Sequence, residues 1–324
     1  MVVNGKIWPK ADVEPRHYRM RLLNGCDSRF MVIRFRKARR PDSTDLRGAG
    51  APMPFWVIGS DQGLAAKATE VKELLIGPGE RYDVVFDFTQ VRQGDRVIID
   101  NIASDAPFGG SARGNRQNFF PDRQTDRIMA FDVTVPLDTN IPDQFDPTAI
   151  AGPPVSPSAA TNTRQVALYE GTDEYQRLQP LLGTTVGGSI AWASPTTEAP
   201  VLNSTEIWEI YNTTGDAHPV HLHLVNFEIL DRQKFRADLI PQPVVQHNGE
   251  VGSGFRMENI RNAGRPTAAS GVEKAPKDMV NALPGEVTRI KATFDKPGRY
   301  VWHCHILSHE DHEMMRVLHV GGGA

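Results

Sequence analysis

Residues 77–88 read GPGERYDVVFDF, and residues 283–294 read LPGEVTRIKATF. The two share Pro-Gly-Glu at the same place near their start. Each then alternates apolar and polar side chains, the period of a half-buried strand. A turn and a further strand follow in both, GDRVIIDNI (94–102) in one and PGRYVWHCHI (297–306) in the other. Upstream, HYRMRLLNGCDSRF (17–30) answers to EIWEIYNTTGDAHP (206–219). One unit thus occurs twice. Short alternating runs bounded by Gly, Pro, Asn and Asp recur along the chain, and helical periodicity is confined to weak stretches such as EYQRLQPLL (174–182). The expected fold is all-β, two β-sandwiches in tandem.

Residues 136–163, PLDTNIPDQFDPTAIAGPPVSPSAATNT, have the Pro/Ala/Ser/Thr-rich composition of a linker. The expected division is a first domain over 1–140, a linker over 141–163 and a second domain over 164–324. Residues 231–276, rich in Arg, Pro and Gly, read as a long loop, either functional or disordered.

The 324 residues are 40% hydrophobic and 23% charged, the balance of a globular protein with room for two cores. A net charge of −3 gives no basic footprint for nucleic acid. The local run RFRKARR (34–40) reads as a solvated strand end. No apolar run reaches the roughly 18 residues of a membrane span. The sequence starts on MVVNGKIWP, which reads as the middle of a strand and not as a signal peptide, and no compartment is assigned.

The second unit carries the chemistry. Its HPVHLH (218–223) and HCH (303–305) have no counterpart in the first unit, which has SRFMVIR and IDN there. Side chains alternate faces along a strand, so His303 and His305 point one way and Cys304 the other, and His221 and His223 share a face. If the two strands are neighbours, four imidazoles converge on one side. On the other, Cys304 can meet His218, whose ring the following proline helps to aim, and His309 and Met314 come from the loop that follows. Two imidazoles, one thiolate and a weak thioether form a blue-copper electron-transfer site. Met315 is the neighbouring alternative to Met314. A zinc site built from HLH and HCH is the competing reading, and it leaves His218, His309 and Met314 unexplained. His17, His247, His312 and His319 read as structural or solvated. The two cysteines, far apart in sequence, make no disulfide framework.

HPVHLHLVNF and HCHILSHEDHEMM resemble the two C-terminal copper signatures of multicopper oxidases, the spore-coat laccases and bilirubin-oxidase-like enzymes above all. The likeness extends through VNGKIWPKADVEPRHYRMRLLN, WVIGSDQG and LLIGPGERYDVVFDFT, which are similar to the middle cupredoxin domain of those enzymes. The resemblance implies two cupredoxin-like Greek-key sandwiches. It implies type 1 copper on His218, Cys304, His309 and Met314, type 2 copper on His221, and a type 3 pair on His223, His303 and His305. Electrons from a small phenolic or aromatic donor would enter at His309 and pass through Cys304, and dioxygen would be reduced to water. Glu310 matches an acid that supplies protons to oxygen; a solvated loop carboxylate is its other reading, and both stand.

The family's cluster takes eight histidines, four of them from two His-x-His motifs in an N-terminal domain. Here the only such motifs are 221–223 and 303–305. The expectation is a second and third cupredoxin domain, with the first missing or supplied by a partner chain. The alternatives are an electron-transfer protein using the blue copper alone, and a copper-binding protein without turnover.

Overall fold

The computed structural model describes residues 1–111, 124–155 and 158–322. In the first half, the strands His17–Leu23, Arg81–Asp87, Phe55–Ser60 and Gly63–Val71 lie side by side in that order. A second sheet runs Lys10–Val13, Arg127–Val133, Arg96–Asn101, Met31–Lys37 and Pro52–Met53, with Leu74–Ile76 also paired to Met31–Lys37. The inward residues of both sheets meet in one core around Phe35, Phe55, Val84, Phe86, Phe88 and Val97. Phe35 stacks on Phe86 with ring centres 4.4 Å apart. Each such ring, taken fully out of water, contributes roughly 1.5–3 kcal/mol.

The second half repeats the plan. A sheet containing Ser204–Asn212 and Glu286–Phe294 faces one made of Met279–Ala282, His218–Leu222, Gly298–Cys304 and Met315–Val320. Between them lie Trp208, Phe227, Ile290, Phe294, Trp302, Cys304 and Met314.

The repeat holds down to single hydrogen bonds. Arg81–Asp87 pairs antiparallel with His17–Leu23, and Glu286–Phe294 pairs antiparallel with Ser204–Asn212. Each Pro-Gly-Glu closes a four-residue turn, Glu80 N–H to Gly77 O at 3.0 Å and Glu286 N–H to Leu283 O at 3.2 Å. The turn glycines have φ of +80° at Gly79 and +68° at Gly285, which an L side chain rarely adopts. Asn24 donates to Arg29 O and Ile76 O and accepts from Cys26 N–H; Asn212 donates to Asp216 O and Ala282 O and accepts from Thr214 N–H.

Two expectations change. Residues 231–276 are mostly not a loop: Phe227–Val245 and Val251–Ala268 form a long antiparallel hairpin. Its prolines, Pro241 and Pro243, lie beyond Lys234, where the strand has lost its second neighbour and a missing N–H is tolerated. Val251–Ala268 touches Asn162–Thr172 through Ser253 and Thr172, and so closes a ring of five strands around Tyr169, Tyr211, Val244, Met257 and Val287. Residues 174–182 are not helical, because Leu178–Thr184 is drawn into the sheet beside Asn162–Thr172. The described part of the Pro-rich stretch is bonded to the first half. Asp143 binds the His17 ring at 3.1 Å, Ile141 O accepts from Arg16, and Gly152 N–H donates to Ala65 O. Residues 156–157 of that stretch lie outside the described residues.

Candidate metal centre

His218–Leu222 and Gly298–Cys304 are neighbours, with Val220 opposite Cys304 and His221 opposite His303. Alternation then sorts the side chains. Val220, Leu222, Trp302 and Cys304 enter the core, while His221, His223, His303 and His305 gather on the other face. His218 has the parity of Val220, so the strand itself puts it on the cysteine side; the proline after it is not what turns the ring.

On the core side His218, Cys304 and His309 bring one donor atom each within 4.8 Å of the others. His218 Nδ1 stands 3.5 Å from Cys304 Sγ and 3.4 Å from His309 Nδ1. His309 rides on a single helical turn, Leu307–Glu310. Met314 is fully buried, and its backbone bonds to both neighbours: Cys304 N–H donates to Met314 O, and Met314 N–H donates to His309 O, each at 3.0 Å. Met315 instead lines an open cleft with Trp192 and Glu310, which favours Met314 as the buried thioether. Ile306 N–H donates to Cys304 Sγ at 3.4 Å.

On the opposite face His221, His223 and His303 form a second group of the same size. His305 is brought alongside but not into this group: its ring centre is 5.8 Å from His303 and 6.1 Å from His221, and its buried Nδ1 has no hydrogen-bond partner among the described residues. Glu310 Oε2 lies 3.2 Å from His303 Nδ1. Sequence reasoning set aside His17, His247, His312 and His319, and none of them joins either group.

The hydrogen bonds leave ring nitrogens that could accept a metal. The Thr214 hydroxyl donates to Asn212 Oδ1 and so accepts from His218 Nε2–H at 2.8 Å, which leaves the Nδ1 lone pair facing the sulfur. Carbonyls only accept, so His221 Nδ1 donates to Asp278 O at 2.8 Å and His303 Nδ1 donates to Cys304 O at 2.9 Å. Both rings therefore carry the lone pair on Nε2, and His303 Nε2 is 3.1 Å from His223 Nε2, within hydrogen-bond reach. Thr214 and Asp278 were missed from sequence; a short polar residue and an acid near a ligand are too common to signal this role.

Burial, reinforced by the His309 ring, pushes His218 down to about 3, and burial pushes His303 down to about 4. Burial also lowers His221, His223 and His309. The neutral imidazole is the ligating form. Burial pushes the Cys304 thiol far up, so metal binding must release its proton. Between pH 6.5 and about 4 the unfolded chain protonates His218 and His303 while the folded one largely does not. Copper-free stability should therefore fall as pH drops from about 6.5 toward 4, by up to about 1.4 kcal/mol per pH unit for each of His218 and His303. Urea midpoints at pH 7, 6 and 5 check this; equal midpoints would contradict it.

Two soft or borderline donor groups sit back to back on one strand, and comparison with known proteins agrees. Residues 191–323 match the family model described as multicopper oxidase. A laccase of Bacillus subtilis (strain 168) is 37% identical over 322 residues, 99% of this chain and 54% of that protein. A laccase of Haloferax volcanii is 30% identical, over 97% of this chain and 46% of that protein. The chain spans about half the length of the curated relatives it matches. The crystal structure of a multi-copper oxidase from Pediococcus acidilactici superposes with a TM-score of 0.66 at 23% identity, covering 98% of this chain and 52% of that one. That likeness bears on the fold, which is all-β and cupredoxin-like as expected. The family's cofactor is copper, and the His218–Cys304–His309 group is compatible with a type 1 site. Residues 191–323 thus match a multicopper oxidase domain, and along nearly its whole length the chain is similar to laccases of which it spans about half.

Proposed function

We propose that this chain is the copper-bearing part of a laccase-type oxidase, which couples one-electron oxidation of small phenolic or aromatic donors to reduction of dioxygen to water. Residues 1–140 act as a ligand-free cupredoxin-like domain and 164–324 as the copper-binding one, joined by 141–163. His218, Cys304, His309 and Met314 would hold type 1 copper. His221 would ligate type 2 copper, and His223, His303 and His305 would supply half of the type 3 ligands. Bound copper supplies one-electron transfer at the first group and dioxygen reduction at the second.

The observation that carries this reading is the single strand end His303–Cys304–His305. It puts a thiol in one group and, one peptide bond to either side, an imidazole beside the other, a covalent route between the two faces. A copper carrier without oxygen chemistry has no use for the second set. His309 also lines a cavity of about 270 Å³ with Arg29, Phe30, Phe108 and Asp216. Phe30 and Phe108 stack there at 4.8 Å, a surface suited to a flat aromatic donor. Glu310 both touches His303 and opens onto the cleft that Asp27 and Asp311 line, which suits it to carry protons inward from solvent.

Copper counted per chain, with electron paramagnetic resonance on the same sample, tests the reading. About one tightly held copper with the narrow hyperfine pattern of a thiolate ligand is the minimum expected. Its absence would overturn the proposal, and a count near four would show the cluster completed.

A further inference from the structure

Arg81 belongs to the half without copper ligands, yet it reaches toward both His-x-His motifs of the other half. Its guanidinium grips the Asp278 carboxylate with two bonds of 2.7 Å, Nη1 to Oδ1 and Nη2 to Oδ2. The Asp278 carbonyl is the acceptor that holds His221 Nδ1. The same Nη1 donates to Gly79 O at 3.0 Å. Gly79 lies against His305 so closely that a Cβ there would stand 2.6 Å from the ring. Residue 278 is held by the first half through Asp61, Gln62 and Arg81, with Asp278 N–H donating to Asp61 Oδ2. The second copy of the turn has no such task, since a Cβ at Gly285 would meet nothing within 4 Å.

We propose that Arg81 is a positioning residue for the imidazole face: through Asp278 it fixes the ring and tautomer of His221, and through Gly79 it seats His305. The planar fork of arginine matches a carboxylate and a carbonyl at once, which a lysine ammonium does not. The inference rests on the assignment of these two histidines to copper. Partners of ligating histidines typically matter ten- to hundredfold for metal retention.

The test compares the native chain with Arg81→Ala, Arg81→Lys and Asp278→Asn. Nitrogen NMR of the copper-free proteins reads the His221 tautomer, which should be Nδ1–H alone in the native chain and mixed in Arg81→Ala and Asp278→Asn. Arg81→Lys should recover it only in part. After copper loading, the thiolate-type resonance should persist in all four, while copper retention at the imidazole face falls roughly tenfold or more in Arg81→Ala. An unchanged His221 tautomer in Arg81→Ala would overturn the proposal, and so would loss of the thiolate-type signal with it, which would mean general disruption. If the native chain retains no copper beyond the Cys304 site, as half a ligand set allows, the retention comparison falls away and the tautomer alone decides the role of Arg81.

Discussion

On the proposed function, Cys304→Ser should abolish the blue absorption of the copper-loaded protein and the electron transfer from donor to cluster, while the fold survives. The colour of such a site belongs to the copper–thiolate bond, and a serine hydroxyl neither ionises near neutrality nor offers a soft donor. Serine is close to cysteine in size, so the surrounding Val220, Trp302 and Met314 need not repack. The cost is one buried hydroxyl, about 1–3 kcal/mol without a partner, and Ile306 N–H and His218 are at hand to bond it. His221→Ala makes the contrasting case: it lies on the opposite face, so the colour should remain and only copper at the imidazole face should suffer. Absorption and resonance spectra of the two variants check both. A blue band surviving in Cys304→Ser would remove the type 1 assignment.

Much of this was open to a reader of the sequence because it depends on local rules. A period of two sorts His221, His223, His303 and His305 from Cys304 without any knowledge of the fold, and the twin Pro-Gly-Glu turns mark the repeat. The same rule, applied one residue further, would also have placed His218. Other features are tertiary and left no local trace. The hairpin was hidden because Arg, Pro and Gly dilute its alternation, and what makes it a strand pair is the second small core formed around Tyr169 and Tyr211. Met314 was preferred to Met315 from the sequence, and the burial of Met314 beside a Met315 that lines the open cleft supports that preference. The contribution of the first half, Arg81 to Asp278 and Gly79 to His305, spans about 200 residues of sequence, and no motif announces it.

Lys277→Met is expected to be the most damaging single change to stability. Lys277 is fully buried, and its Nζ bonds Asp61 at 2.9 Å, Glu80 at 3.0 Å and Ser60 at 2.9 Å, with the Tyr82 ring 4.8 Å away. Burial alone would lower its pKa; Glu80, Tyr82 and Asp61 together hold it well above the usual lysine value, so the ammonium stays charged. Methionine keeps the length of the stem, and the loss is therefore electrical and not a cavity. Two carboxylates are left facing each other without their cation, at a cost of about 3–5 kcal/mol. That is a large part of the roughly 5–15 kcal/mol that holds a domain folded. These groups also join the halves: Asp61 accepts from the backbone N–H of Arg81, Asp278 and Met279, and Glu80 accepts from Asn281. The loss should therefore weaken the seat of His221 along with the fold. Adding Glu80→Gln removes one surplus charge while its amide oxygen still accepts from Gly77 N–H and Asn281, and Asp61 keeps Arg81 at 3.8 Å as its counter-charge. Most of the stability should return in Lys277→Met/Glu80→Gln. Urea unfolding of the three proteins decides it: a single variant within about 1 kcal/mol of the native chain would show that the buried cation is not what balances the interface, and a double variant no better than the single would mean that packing, not charge, is at stake.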